Sequence, residues 1–125
     1  MVNDRWIIII EDDIFLSRLY QNKFSQDGWS VAVVDGLNGL KKIKQQKPTV
    51  ILLDLDLIKE DGWQVLQSLK EEPINQDIPV VVLTNLSNRA DVKKAKELGA
   101  VEFLIKAHFL PSEVVAVVNR QIKLK

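Results

Sequence analysis

The sequence VILLD at residues 50–54 is an unbroken apolar run that ends at a carboxylate, Asp54. A short apolar run bounded by a polar turn is typical of a strand buried on both faces. A second run, WIIII at residues 6–10, also stops at acids, the EDD of residues 11–13. Ligands in open α/β sheets bind at the carboxyl ends of the strands. The two runs therefore predict a functional site with several acidic residues at the carboxyl ends of the strands.

Composition limits the class of protein. The chain has 125 residues, of which 46% are hydrophobic, enough for one domain with its own core. Lys plus Arg and Asp plus Glu number 17 each, so no net field attracts nucleic acid or an acidic membrane. The sequence has no cysteine, which excludes thiolate catalysis and Cys-ligated zinc and fits a reducing compartment.

Membrane and secretion signals are missing from the sequence. Its apolar runs are far shorter than the roughly 20 residues that a membrane-spanning helix needs. Residues 1–5 lack the basic flank and apolar region of a signal peptide, and no linker or repeat interrupts the chain. We expect a single domain over residues 1–125, located in the cytoplasm, with no membrane insertion and no direct contact with nucleic acid.

Five strand-then-helix units follow one another along the chain. Helical periodicity and turn residues predict helices over 14–26, 35–46, from about 61 to before Pro73, from 87 or 88 to 98, and from 111 onward. Apolar runs predict strands over 6–10, 30–34, 50–54, 79–84 and 102–105. We expect Asp61 to cap the third helix with Gln64 as its capping-box partner, and Ser87 or Asn88 to cap the fourth. Buried strands alternating with helices predict a doubly wound α/β fold with a parallel sheet.

The carboxyl ends of parallel strands lie along one edge, which collects chemically active groups. These are Glu11, Asp12, Asp54, Thr84 and Lys106. Carboxylates crowded together repel one another unless a cation or proton neutralises them. Oxygen ligands favour a hard divalent cation such as Mg²⁺. Beside such an ion Asp54 is a candidate nucleophile toward phosphorus, and the lysine and hydroxyl suit phosphoryl oxygens.

At these residues the chain resembles the receiver domain of two-component response regulators, over essentially its whole length. The segments that carry the resemblance are IIIIEDD, VILLDLDLIKEDGWQVL, IPVVVLT and GAVEFLIK, in the family's order and spacing. The resemblance implies a flavodoxin-like (βα)5 fold with strand order 2-1-3-4-5.

The resemblance also implies a role for each matching residue. Asp54 is the expected phosphoacceptor, and Mg²⁺ or Mn²⁺ is expected on Glu11, Asp12, Asp54 and the backbone carbonyl of Asp56. Lys106 is expected to pair with the phosphate. Thr84 is the expected switch hydroxyl, and Phe103 falls at the aromatic switch position.

Several positions depart from the family pattern. Ala107 stands where proline usually follows the lysine, so a cis peptide bond there would cost about 2.5 to 4 kcal/mol. Asn85 replaces a small residue, Ile58 replaces a frequent proline, and Phe103 has no hydroxyl. The segment 107–110 is one residue longer than the common form. We expect Asn85 and Ala107 to modulate the phosphorylation rates.

The expected partners are a sensor histidine kinase or a phosphotransfer protein, and an output protein or domain that contacts helix 4, strand 5 and helix 5. Dimerisation on phosphorylation is a further expectation. The chain would then be no enzyme beyond catalysing its own phosphorylation and dephosphorylation.

Two alternative functions stay open: a phosphorylation-independent binding module with the same fold, and a phosphatase or nucleotide-binding enzyme, although no GxGxxG or Walker-type loop is present. The sequence does not separate a stand-alone regulator from part of a longer chain.

Other conspicuous residues have structural interpretations. Asp13 is interpreted as a first-turn acid and His108 as a loop residue. The three tryptophans, Trp6, Trp29 and Trp63, are interpreted as packing or surface aromatics. Lys93, Lys94 and Lys96 are interpreted as the solvated face of the fourth helix.

Overall fold

A computed structural model describes residues 5–57 and 61–123, so the expectation for Ile58 lies outside the described residues. The strands are β1 Trp6–Ile10, β2 Ser30–Val34, β3 Val50–Leu53, β4 Val80–Thr84 and β5 Glu102–Ile105. The helices are α1 Ile14–Gln26, α2 Gly36–Gln45, α3 Gly62–Glu71, α4 Arg89–Glu97 and α5 Pro111–Lys123. Two short 3₁₀ turns, Pro73–Asn75 and Lys106–His108, complete the described elements.

The five strands form one parallel sheet in the order β2-β1-β3-β4-β5. This confirms the predicted doubly wound α/β class and its strand order. The last residues of neighbouring strands are in register, with Ile10 paired to both Val34 and Leu53. The carboxyl ends of β1, β2 and β3 are therefore level.

Side chains of β1 alternate between two separate apolar layers. Ile8 and Ile10 pack into one cluster with residues of α3, and Ile7 and Ile9 pack into the other with residues of α1 and α5. All four isoleucines are at most 1% exposed. Successive strand residues point to opposite faces of a sheet, so an uninterrupted apolar run means that both faces are covered.

Short polar side chains fix the start of each helix from α1 to α4. Asp13, Asp35, Asp61 and Asn88 each accept a hydrogen bond from a backbone N–H in the first turn. The caps at Asp61 and Asn88 were both among the expected ones, although Asp61 accepts from Trp63 N at 3.0 Å, one residue earlier than in a capping box. These caps satisfy N–H groups that have no partner within the helix.

Helices α3 and α4 contact each other at the protein surface through the side chains of Lys94 and Trp63. The Lys94 ammonium lies 4.5 Å from the centroid of the Trp63 ring, which is half-buried. This distance is that of a cation–π interaction. Within the described part of the chain, no helix is both long and apolar enough to cross a bilayer.

Candidate functional site

Glu11 and Asp54 extend the sheet by one residue beyond their strands. The N–H of Glu11 donates to the carbonyl of Val34 at 3.1 Å, and the N–H of Asp54 donates to that of Ile10 at 3.1 Å. These bonds continue the ladders that β1 makes with β2 and β3. The sheet therefore holds the backbones of the two acids at neighbouring positions on its carboxyl edge.

Lys106, which follows β5, lies between the two carboxylates. Its Nζ donates to Glu11 Oε1 at 2.6 Å and to Asp54 Oδ2 at 2.8 Å. The three side chains are 11%, 4% and 5% exposed for Lys106, Glu11 and Asp54. Charge-assisted hydrogen bonds of this length are strong. One ammonium nevertheless faces two carboxylates, so negative charge remains in a poorly hydrated place.

The protonation equilibria of this trio reflect both burial and pairing. Burial raises the pKa of Glu11, and the charge of Asp54 adds to the rise, while the hydrogen bond from Lys106 opposes it. Burial alone would lower the pKa of Lys106, but the hydrogen bonds and the negative charges of Asp54 and Glu11 together outweigh burial and raise this pKa. Lys106 is therefore held as the cation, and Glu11 is a carboxylate that a further cation would stabilise.

Backbone N–H groups orient the other oxygen of each carboxylate. Asp54 Oδ1 accepts from Asp56 N at 2.9 Å, and Glu11 Oε2 accepts from Asp13 N at 3.2 Å. Each carboxylate is thus bonded to Lys106 through one oxygen and to the following loop through the other. Two bonded oxygens leave little rotational freedom to either side chain.

An open cavity of about 190 Å³ lies beside the trio. Carboxylates belong to five of its eight lining residues, which are Glu11, Asp12, Asp13, Leu16, Asp54, Asp56, Asn85 and Lys106. The cavity therefore combines many oxygen donors with a single ammonium and a side-chain amide. This is a lining suited to a hydrated cation and a phosphoryl group.

No three side chains of His, Cys, Asp or Glu within residues 5–57 and 61–123 already converge as metal ligands. The donor set still fits a hard cation. Mg²⁺ keeps several waters and is usually held by only one or two carboxylates. Glu11, Asp12 and Asp54 border the same cavity and provide those oxygens.

Thr84 ends β4, as predicted, but its hydroxyl is not among the groups that line the cavity in the described structure. The side chain is fully buried, and Oγ1 accepts from Leu86 N at 3.4 Å. Asn85, one residue later, does line the cavity and is exposed. The strand end thus brings Asn85, rather than Thr84, to the cavity wall.

Phe103 and Ala107 both lie away from the cavity wall. Phe103 is half-buried in β5 and packs against the core layer that contains Ile8 and Ile10. Ala107 is exposed and sits in the 3₁₀ turn Lys106–His108, and all peptide bonds of the described residues are trans. The trans bond before Ala107 is the one expected for a residue other than proline.

Asp13 contributes more to the site than the sequence suggested. It caps α1 through Oδ1, which accepts from Leu16 N at 2.9 Å, so it is the N-cap residue before the first turn rather than the first-turn acid that was predicted. It also lines the cavity, and its N–H orients Glu11. The three consecutive acids at residues 11–13 indicated an acidic site. Which of their side chains faces the cavity depends on the conformation of the loop after β1.

Comparison with known proteins identifies relatives over nearly the whole chain. The family model for the response regulator receiver domain matches residues 7–119. The probable transcriptional regulator ycf27 of Cyanophora paradoxa is 33% identical over 116 residues, which are 92% of this chain and 47% of that protein. The chain spans less than half the length of this and two similar curated relatives.

Solved structures agree with this similarity. The Mn²⁺-bound form of response regulator Rcp1 is 34% identical, covers 92% of this chain and 90% of its own, and superimposes with a TM-score of 0.76. The chemotaxis protein CheY4 of Vibrio cholerae has a TM-score of 0.86 at 20% identity, covering 93% of this chain and 97% of its own. At that identity the second match concerns the fold alone.

Proposed function

The chain belongs to the response regulator receiver domain family, and on that premise we propose that Asp54 accepts a phosphoryl group from a histidine kinase or phosphotransfer protein. The observation that carries the proposal is the buried Asp54 carboxylate at the cavity, 2.8 Å from the Lys106 ammonium. A carboxylate that lies beside a cation and borders an open cavity has the surroundings that nucleophilic attack on phosphorus requires, which supports the proposal.

In the proposed reaction an Asp54 oxygen forms a bond to phosphorus as the bond from phosphorus to the donor nitrogen breaks. The electron pair of that bond leaves with the donor imidazole. Lys106 would shift from the carboxylate oxygen to the phosphoryl oxygens, because they carry negative charge. The raised pKa of Lys106 keeps its side chain cationic for this contact. Positioning and charge stabilisation supply most of the rate in such transfers.

We propose that Mg²⁺ or Mn²⁺ is held by the carboxylates of Glu11, Asp12 and Asp54 and the backbone carbonyl of Asp56. When bound, the ion would offset the charge between these acids and an incoming phosphoryl group. The oxygen-rich cavity lining supports this assignment. The similar Rcp1 protein in a Mn²⁺-bound form is further support.

Phosphorylation is proposed to change partner binding through α4, β5 and α5, with homodimerisation as one form of output. Thr84 would exchange its contact with Leu86 N for a phosphoryl oxygen, and Phe103 would follow by burying its ring. Asn85 would contact the phosphoryl group from the cavity wall, and Ala107 would set the Lys106 turn. Residues 1–125 would act as one receiver domain, which signals rather than turning over a substrate.

Intact-protein mass spectrometry after incubation with acetyl phosphate tests the proposal. Wild type should gain one phosphoryl group with Mg²⁺ and none with excess EDTA. Asp54→Asn should gain none under either condition. Asp77→Asn is the matched control, because Asp77 is an exposed acid paired with Lys47 outside the site, and it should be modified like wild type. An equal gain in Asp54→Asn would refute the assignment.

A phosphorylation-independent binding module is the second candidate. It is favoured by Lys106, whose ammonium pairs with both Glu11 and Asp54 and so neutralises part of the acidic cluster. Once a partner is known, its affinity should be measured for wild type and Asp54→Asn, with and without acetyl phosphate. Equal affinities in all four samples would support the module, and a phosphorylation-dependent change would exclude it.

A further inference from the structure

Gly62, the first residue of α3, lies against the backbone that carries Asp54. A Cβ atom built on Gly62 would overlap Leu55 Cα and would lie 2.6 Å from the Leu55 carbonyl oxygen and 2.7 Å from that of Asp54. These are main-chain atoms, which cannot swing aside as the end of a side chain can. Any residue larger than glycine must therefore displace either α3 or the loop after β3.

Neither partner in this contact has room to retreat. Leu55 and Leu57 are 4% and 8% exposed and belong to the same core layer as Val65 and Leu66 of α3. Asp61 fixes the first turn of that helix by accepting from Trp63 N. Because protein interiors are close-packed, a shift in one of these elements is passed to the other.

The contact reaches the Asp54 carboxylate through Asp56. Leu55 separates these two residues, and the Asp56 N–H donates to Asp54 Oδ1 at 2.9 Å. Moving the Leu55 backbone therefore moves the donor that orients the carboxylate. We propose that Gly62 is a positioning residue for the acceptor: its missing side chain lets α3 hold the loop so that Asp56 N–H meets Asp54 Oδ1. The consequence for phosphoryl transfer rests on the function proposed above, whereas the consequence for the hydrogen bond does not.

Gly39 in α2 offers a matched comparison. The three nearest atoms to a Cβ atom there belong to side chains, at 2.8 and 3.0 Å for Ile10 Cδ1 and Cγ1 and 3.3 Å for Val34 Cγ2. Both glycines are buried, and both would receive the same methyl group. A small rotation of Ile10 relieves the crowding at Gly39, whereas no side-chain rotation relieves it at Gly62.

The first test compares Gly62→Ala with Gly39→Ala by ¹H–¹⁵N NMR of metal-free protein. Only Gly62→Ala should move the Asp56 amide proton upfield, as expected when its hydrogen bond to a carboxylate is lost. Modification by acetyl phosphate with Mg²⁺ should slow by about tenfold to a hundredfold in the same variant, because small misplacements of reacting groups cost rate. A folded Gly62→Ala with the wild-type amide shift and the wild-type rate would overturn the proposal.

The two readouts separate this proposal from the proposed function. If wild type is never phosphorylated, the function fails, and the Asp56 amide shift still decides whether Gly62 positions the carboxylate. If wild type is phosphorylated and Gly62→Ala matches it in both readouts, the positioning role alone fails.

Cap variants keep the test decisive if Gly62→Ala does not fold. Asp61→Ala loosens the turn that presses Gly62 onto the loop, and it should move the Asp56 amide in the same direction by a smaller amount and lower the rate. Asp35→Ala removes the corresponding cap of α2, where Asp35 Oδ1 accepts from Asn38 N at 3.0 Å. Asp35→Ala should leave the Asp56 amide unchanged. Equal effects of the two cap variants on this amide would contradict the positioning role.

Discussion

Lys106 balances only part of the charge around it. Its ammonium bonds to two carboxylates that are almost fully buried, and burial together with Asp54 raises the pKa of Glu11. The second negative charge has no ammonium of its own among the described residues, and the two carboxylates border the open cavity. The stability of the folded protein should therefore change when a cation is added to this site or when the Lys106 ammonium is removed.

Lys106→Met should destabilise the metal-free protein at neutral pH. Removing one partner of a buried ionic group leaves the other charges uncompensated, at a cost of about 3 kcal/mol. Added Mg²⁺ should recover part of the loss, because it neutralises the same carboxylates. Urea unfolding with EDTA and then with Mg²⁺ measures both effects.

Lys93→Met is the control for that experiment. Lys93 is 80% exposed and pairs with Glu97 at 3.9 Å one helical turn away. Such surface pairs contribute about 0.5 kcal/mol or less. A similar loss of stability in both lysine variants would show that the buried trio has no special energetic role.

The acidic edge was predictable because strand ends set backbone positions, but side-chain directions were not. Two apolar runs ending in acids placed Glu11 and Asp54 together, and the ladder bonds beyond each strand explain why. Thr84 also lies at its predicted strand end, yet its hydroxyl is buried and bonded to Leu86 N. The direction of the Thr84 side chain depends on the conformation of the loop between β4 and α4. The spacing of residues in the sequence does not predict that conformation.

The helices and strands were predictable from local chemistry. Apolar runs located the strands to within one residue, and polar caps located the starts of α3 and α4. The 3₁₀ turns Pro73–Asn75 and Lys106–His108 were not anticipated. Three residues are too few to show a periodicity, and turns of this kind depend on the elements they join.

Helix α4 links the cavity to the proposed output face. The loop before it carries Asn85 at the cavity wall, and Asn88 begins the helix by accepting from Asp91 N at 2.8 Å. On its other side α4 is held to α3 by Lys94 over the Trp63 ring. The interpretation of Lys94 as purely solvated is therefore incomplete, because this lysine also joins two helices.

Lys94→Gln should loosen α4 without unfolding the domain. It removes the charge over Trp63 while keeping a long side chain of similar helix propensity, so the global loss should be about 0.5 to 1 kcal/mol. Hydrogen exchange of the α4 amides should accelerate more than that of the α5 amides. Lys96→Gln, at an exposed position on the same helix, is the control. Equal acceleration in both variants would show that the ring contact does not restrain α4.

The stability of the folded chain toward alkali should depend on Tyr20. Tyr20 is 3% exposed, and burial raises the pKa of its phenol, with Lys106 opposing and the nearby acids adding to the rise. The folded state therefore holds this proton more tightly than the unfolded chain, whose tyrosine pKa is about 10. This stabilisation is fully present below about pH 10 and is lost as pH rises through the folded-state pKa.

Tyr20→Phe should accordingly lose stability less steeply than wild type above about pH 10. Some slope should remain, because Lys106 also has a raised pKa and loses stabilisation in the same direction. Tyr20 is the sole tyrosine of the sequence, so tyrosinate absorbance follows its ionisation directly in wild type. Identical pH slopes in the two proteins, or ionisation at the ordinary pKa in the folded state, would contradict the prediction.

The alternation along β1 bears on how such a domain diverges during evolution. Ile7 and Ile9 belong to one apolar layer and Ile8 and Ile10 to the other, and the sheet backbone separates the two. Substitutions that share no partners have nearly additive effects on stability, whereas the effects of neighbouring substitutions within one layer are coupled. A lineage can therefore repack one side of the sheet through compensating exchanges while the opposite side drifts at its own pace.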